Sequence, residues 1–176
     1  MKILQRSLLS ALLFSAVFAS VPTIPSLPAI AQTRQVQPLS ITRMGIGQIK
    51  LGSKGVQVQR ILGKPQQART EQTNCCGTLY HWKYPELEVR FEDFDSTGDL
   101  KQFSVYQIST KSTKYATFDG IRVGDRRSKV LQVYRNARVT QEQDGLYYTN
   151  DEYASGLVFK FKNDRVVEII TNTLLN

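Results

Sequence analysis

The chain has 176 residues, 41% hydrophobic and 22% charged, with 23 basic and 15 acidic side chains and a net charge of +8. That length suits one ordinary domain or two small packed units, and it excludes a large multidomain enzyme, an acidic disordered tail and a collagen-like fibre. Two cysteines exclude a disulfide-dense mini-protein.

At the N-terminus, Lys2 and Arg6 precede an apolar run from Leu8 to Ala19, which is too short to span a hydrocarbon core about 30 Å thick. Prolines 22, 25 and 28 follow, then Ala29-Ile30-Ala31, a small-x-small sequence of the kind signal peptidase cleaves. Residues 1–31 are therefore expected to be a signal peptide, with no lipid anchor because no cysteine adjoins the cut. Losing Lys2 and Arg6 but no acid would bring the charge from +8 to +6. The expected locale is periplasmic or secreted, with no membrane span in the mature chain. Residues 32–44 are polar and lack periodicity, so they read as a flexible leader.

A pattern then occurs twice. Ile49-Lys50-Leu51-Gly52-Ser53 is answered by Ile121-Arg122-Val123-Gly124-Asp125. Ser53 and Asp125 are suitable helix N-caps. Val58, Ile61 and Leu62, then Val130, Val133 and Tyr134, follow at helical spacing. Gly63 and Pro65 end the first helix, and Arg135-Asn136 the second. Beyond each helix the period drops to two. The first strands carry Tyr80, Trp82 and Tyr84, then Leu87, Val89 and Phe91, then Phe103 and Val105. The second set comprises Leu146 to Thr149, then Leu157, Phe159 and Phe161, then Val167 and Ile169. The expected fold is α+β, with two tandem repeats at 45–110 and 116–176, each a short helical segment followed by a three-stranded antiparallel meander.

Gly52, Val58, Leu62-Gly63-Lys64-Pro65 and the strand His81-Trp82-Lys83-Tyr84 resemble the SmpA/OmlA (BamE-like) family of small outer-membrane assembly subunits. A tandem of such units also looks like the β-lactamase inhibitor protein architecture. The first resemblance implies a role in cell-envelope assembly. The second implies an inhibitor that inserts loops 66–77 and 141–155 into a secreted hydrolase from one side of the molecule.

No catalytic constellation is legible. His81 is the only histidine, and no HxxxH or GxSxG spacing occurs; an exposed strand histidine is the plainer reading. Asp93, Asp95, Thr97, Gly98 and Asp99 have a calcium-loop alternation, but a hairpin turn has the same composition. No cofactor and no metal is expected. Arg126, Arg127 and Lys129, on the second helix, are candidates for binding an acidic partner or, weakly, an anionic surface, against the plainer reading of a solvated helix face. Tyr147, Tyr148 and Tyr153 are the candidate aromatic contacts. Cys75 and Cys76 are adjacent, which leaves a vicinal disulfide, an intermolecular bridge or two free thiols open. The leading expectation is a non-catalytic extracytoplasmic module that binds another envelope or secreted protein and no nucleic acid. The alternatives are the hydrolase inhibitor and a small thiol redox protein acting through Cys75 and Cys76.

Overall fold

Two short helices and ten strands are built from these segments in a computed structural model that describes residues 37–74, 77–141, 145–150 and 155–173. The expected signal peptide at 1–31 lies outside the described residues. Residues expected in the leader do pack: Leu39 and Met44 are buried, and Leu39 N–H donates to the Thr149 carbonyl at 3.1 Å. A short turn at Ile41–Arg43 leads into the hairpin β1 (Gly45–Ile46) and β2 (Ile49–Lys50), which buries Ile46 and Ile49.

Helix α1 spans Gly55–Leu62 and α2 spans Arg127–Val133. Their N-caps are Lys54 and Arg126, one residue later than expected. Ser53 and Asp125 instead close the preceding turn, their side-chain oxygens accepting from the N–H of Lys50 (3.2 Å) and of Arg122 (2.8 Å). Each turn is stitched to a strand. Gly52 N–H reaches the Val105 carbonyl at 2.7 Å, and Gly124 N–H reaches that of Val166 at 2.8 Å. Helix α1 ends at Gly63, as its sequence predicts, and α2 at Tyr134, before Arg135-Asn136. Tyr134 caps the helix with its N–H bonded to the Val130 carbonyl, and its ring is buried in the core.

The remaining strands are β3 (Gln67–Gln72), β4 (Thr78–Lys83), β5 (Glu88–Asp93), β6 (Ser104–Thr110), β7 (Val139–Gln141), β8 (Gly145–Asn150), β9 (Ser155–Lys162) and β10 (Arg165–Thr173). They form one antiparallel sheet in the order β3-β4-β5-β6-β10-β9-β8-β7. This corrects the expected pair of helix-plus-three-strand repeats. The described residues are mostly antiparallel sheet, and β6 and β10 are joined through Thr110–Ile169 to Gln107–Asn172. An unpaired edge on either long strand would expose a row of N–H and C=O groups; pairing them together satisfies both. Strands β3 and β7 are also additional to the expected meanders.

One sheet face is covered and the other is not. Trp82, Val89, Phe91, Val105, Ile108, Leu146, Tyr148, Leu157, Phe159 and Ile169 join Val58 of α1, Val130 of α2, and Ile46 and Ile49 of the hairpin in a single core. Two aromatic clusters anchor it. Trp82 lies 4.5 Å from Phe91, and Tyr134 lies 4.8 Å from Tyr148 and 5.5 Å from Phe159, centroid to centroid. Burying each such side chain contributes roughly 1.5–3 kcal/mol. Leu62, Val133 and Phe161, expected to share this interior, are only partly buried against it. Val167, paired with Ile169 by the period of two, is 39% exposed because a bulge between Val166 and Glu168 shifts the alternation and turns Val166 inward.

Candidate functional site: the open face of the sheet

On the uncovered face the strand register aligns side chains into rows. One row runs Arg69, His81, Arg90, Gln107 and Asn172 across β3, β4, β5, β6 and β10. The next runs Gln67, Lys83, Glu88 and Ser109, then continues through Ile170, Val158 and Tyr147 to Thr140 on the edge strand β7. The face therefore carries charges across β3–β5 and an apolar, aromatic strip on β10, β9 and β8 that is flanked on those strands by the Lys160–Glu168 ion pair at 3.5 Å. Ile170, Val158 and Tyr147 are each half-buried. Cross-strand neighbours at this spacing are close enough to act as one contact surface.

The charged part on β3–β5 is densely interleaved. A depression of about 200 Å³ is lined by Gln67, Arg69, His81, Lys83, Glu88 and Arg90 together with parts of Trp82 and Val89. His81 Nε2 is shielded from solvent without a hydrogen-bond partner among the described residues, and Glu71 Oε2 stands 3.9 Å from it. Burial first, and the Arg90 cation second, hold the His81 imidazole below its ordinary value, opposed by Glu71 and Glu88. Tyr106, left over at the bulge between Arg90 and Phe91, is buried on this face; burial raises its phenol, opposed by the Arg90 side chain that bonds it. At the far end, burial raises the Glu92 carboxyl, with Lys54 opposing.

The His81 shift gives stability a pH dependence of known sign. Below about pH 6.5, the ordinary histidine value, an unfolded chain takes a proton that the folded chain resists, so stability falls as pH drops toward the lowered folded value. Urea midpoints compared between about pH 7.5 and about pH 5.5 should fall more for the wild type than for His81→Gln. Parallel dependences would overturn this.

The structure disperses the sequence-derived site residues. Arg127 stacks 4.2 Å over the Phe161 ring, with its Nε 3.7 Å from Asp164 Oδ1. Lys129 Nζ donates to Asp125 Oδ2 at 2.8 Å; burial is the largest single influence on the Asp125 carboxyl and would raise it, but the Lys129 and Arg122 N–H hydrogen bonds and the two cations together hold it below its ordinary value. Arg126 is exposed and makes no ion pair among the described residues. Arg127 thus ties the start of α2 to the β9–β10 turn, and Lys129 is engaged locally with the residue before the helix cap. Tyr148 is 1% exposed, pushed up to about 12 by burial, and belongs to the core, which corrects its expected role as an exposed contact. The alternation of β8 places its neighbour Tyr147 on the open face. Tyr153, Cys75 and Cys76 lie outside the described residues.

Asp93, in the calcium-like stretch, is buried and organises its turn. Its Oδ2 accepts from Gly98 N–H at 2.9 Å, and the Thr97 hydroxyl donates to both carboxylate oxygens. Among the described residues, no group of three or more His, Cys, Asp or Glu side chains stands close enough to hold a metal, and no helix is long and apolar enough to cross a membrane. The segments expected to enter a hydrolase cleft as loops instead contain strands β3 and β8, which lie at one edge of the sheet and next to the opposite edge.

No family model and no curated protein matches the chain. Solved structures are similar only in broad outline. An extracellular SCP-domain protein from Bacillus anthracis is 11% identical with a TM-score of 0.43, covering 82% of this chain and 50% of its own. A cysteine-rich secretory protein from Staphylococcus aureus is 9% identical with a TM-score of 0.44, covering 80% and 48%. YfeY from Escherichia coli is 11% identical with a TM-score of 0.41, covering 78% and 99%. The chain thus spans about half the length of the first two. At these values the likeness assigns this chain no function. The expected SmpA/OmlA (BamE-like) and β-lactamase inhibitor resemblance is corrected, since no family model matches and a continuous eight-stranded sheet stands where the repeats were expected. The glycines and apolar positions that carried the resemblance serve turns and core, which many folds share.

What sequence reading missed is the row structure of the open face. Its charged members look like ordinary surface residues until the register places them side by side. The available signal was the polar partner of each alternating strand: His81, Lys83, Glu88 and Arg90 sit between the apolar positions.

Proposed function

We propose that this chain is a non-catalytic, extracytoplasmic protein-binding module that engages another envelope or secreted protein through the open face of its sheet. The observation that carries the reading is the strip Tyr147–Val158–Ile170 lying in register beside the Lys83–Glu88 charges, a contiguous apolar patch with a polar flank. Such a patch with a polar margin is the usual anatomy of a protein interface, and tyrosine is favoured there. The signal-peptide pattern at residues 1–31 supports the extracytoplasmic setting.

The test is affinity capture from envelope extract with the mature chain and with a Tyr147→Ser/Ile170→Thr variant, followed by mass spectrometry. A captured protein that falls roughly tenfold or more with the variant supports the reading, because central apolar anchors dominate such contacts. Reversal of Arg126, Arg127 and Lys129 should have the smaller effect, since two of the three are already engaged within the fold. A captured set unchanged by the open-face variant overturns the proposal.

A further inference from the structure

On the helix-bearing side of the fold, the β1–β2 turn, the last turn of α1 and the 114–118 segment enclose a cleft of about 490 Å³. A second depression of about 280 Å³ runs on along α1 and shares Gln48 and Ile61 as a common wall. Apolar groups line the cleft. Leu62 and Tyr115 are packed against the core behind it, while Ile61 and Phe118 stand 44% and 43% exposed. The charged lining is of one sign: Lys114 and Arg122 in the cleft, Lys50 and Arg60 in the continuation, and no Asp or Glu in either.

These cations differ in what holds them. Arg122 Nη1 donates to the carbonyls of Thr113 at 3.2 Å and Lys114 at 2.5 Å, so its guanidinium is fixed in place. Lys114 lies 5.5 Å over the Tyr115 ring and 3.6 Å from Glu86. Lys50 and Arg60 make no ion pair among the described residues. An anionic ligand would meet two anchored cations on one side and two uncommitted ones on the other.

We infer that this cleft is a second docking site, separate from the open sheet face, for an acidic segment of another protein that seats a large apolar side chain between Ile61 and Phe118. Charge complementarity sets the sign of the partner. Concavity sets its class: the volume accommodates side chains projecting from a peptide, whereas a bilayer surface is flat and would not reach the Leu62 and Tyr115 floor. Carboxylates flanking the seated side chain would lie toward Lys50 and Arg60 on one side and Lys114 and Arg122 on the other.

The test uses the mature chain and fluorescein-labelled synthetic peptides in which Asp and Glu flank a central Phe or Leu, read by anisotropy. The same peptides with Lys for the acids, or Ser for the apolar residue, serve as controls, and phosphatidylglycerol vesicles as the lipid arm. The acidic apolar peptides should bind and both controls should not. Lys50→Glu/Arg60→Glu should weaken binding by roughly tenfold and reduce its salt dependence. Ile61→Ser, at a position exposed in the fold, gives a charge-independent second variant that should also weaken it. Peptide binding unaffected by either variant, vesicle binding without peptide binding, or binding to no probe would overturn the inference. The Tyr147→Ser/Ile170→Thr variant should bind the peptides as the wild type does. Loss of peptide binding alone would therefore remove this cleft and leave the open-face reading standing.

Discussion

Phe91→Ala is expected to destabilise the protein by about 3–5 kcal/mol, the range for removing a buried aromatic ring. Phe91 is fully buried on β5, with its ring centroid 4.5 Å from Trp82 and 6.0 Å from Phe103, and it pairs across strands with Tyr80 and Val105. Tyr80 and Phe103 are themselves stacked at 3.8 Å. A vacated ring volume between such large, mutually braced side chains would not collapse readily, and that places the cost toward the upper part of the range. Phe94, three residues along and 58% exposed, is the internal control; its replacement by alanine should stay within about 0.5 kcal/mol. Chemical denaturation of both variants decides the matter. A Phe91→Ala loss below about 1 kcal/mol would mean that this cluster is not the anchor of the first four strands of the sheet.

Gly77→Ala should be comparably severe for a different reason. Gly77 has φ near +73°, and a Cβ there would collide with the Asp93 carbonyl and stand 2.6 Å from that of Phe94. Both obstacles are backbone, so a rotamer change cannot relieve them, and the left-handed conformation adds about 1–2 kcal/mol of its own. Gly52→Ala separates the two effects. Its φ is +76°, yet nothing lies within 4 Å of the position, so only the conformational cost should remain. Thermal unfolding should place Gly77→Ala well below Gly52→Ala. Equal losses would show that the approach of Gly77 to β5 is not tight, and would remove the packing part of the argument.

The same contrast between local and distant causes separates what could be read along the chain from what could not. Helical spacing at Val58 and Val130, and alternation at Trp82, Val89, Phe91 and Phe159, identify buried positions, because each pattern arises from one element presenting one face. Strands β3 and β7 carry no such pattern. Gln67–Gln72 and Val139–Gln141 are exposed along their whole length, as edge strands can be, since their backbone pairs on one side while their side chains need no apolar neighbour. Tyr147 and Tyr148 are identical in the sequence, and only the pleat of β8 between β7 and β9 decides which faces solvent and which faces Phe159.

Alone, the sequence determined the N-terminal signal pattern, the basic balance, and the residues suited to core and turns, because those properties depend on composition and on neighbours a few positions apart. The tertiary structure decided the rest. It paired β6 with β10 into one sheet, coupled Arg127 to Phe161 and Lys129 to Asp125, and brought Ile61, Phe118 and Arg122 around one cleft with Lys50 in its continuation along α1. Each of these depends on strand register or on segments tens of residues apart meeting in space. Hydrophobic period constrains which face a residue takes but carries no information about which distant strand or side chain will lie opposite it.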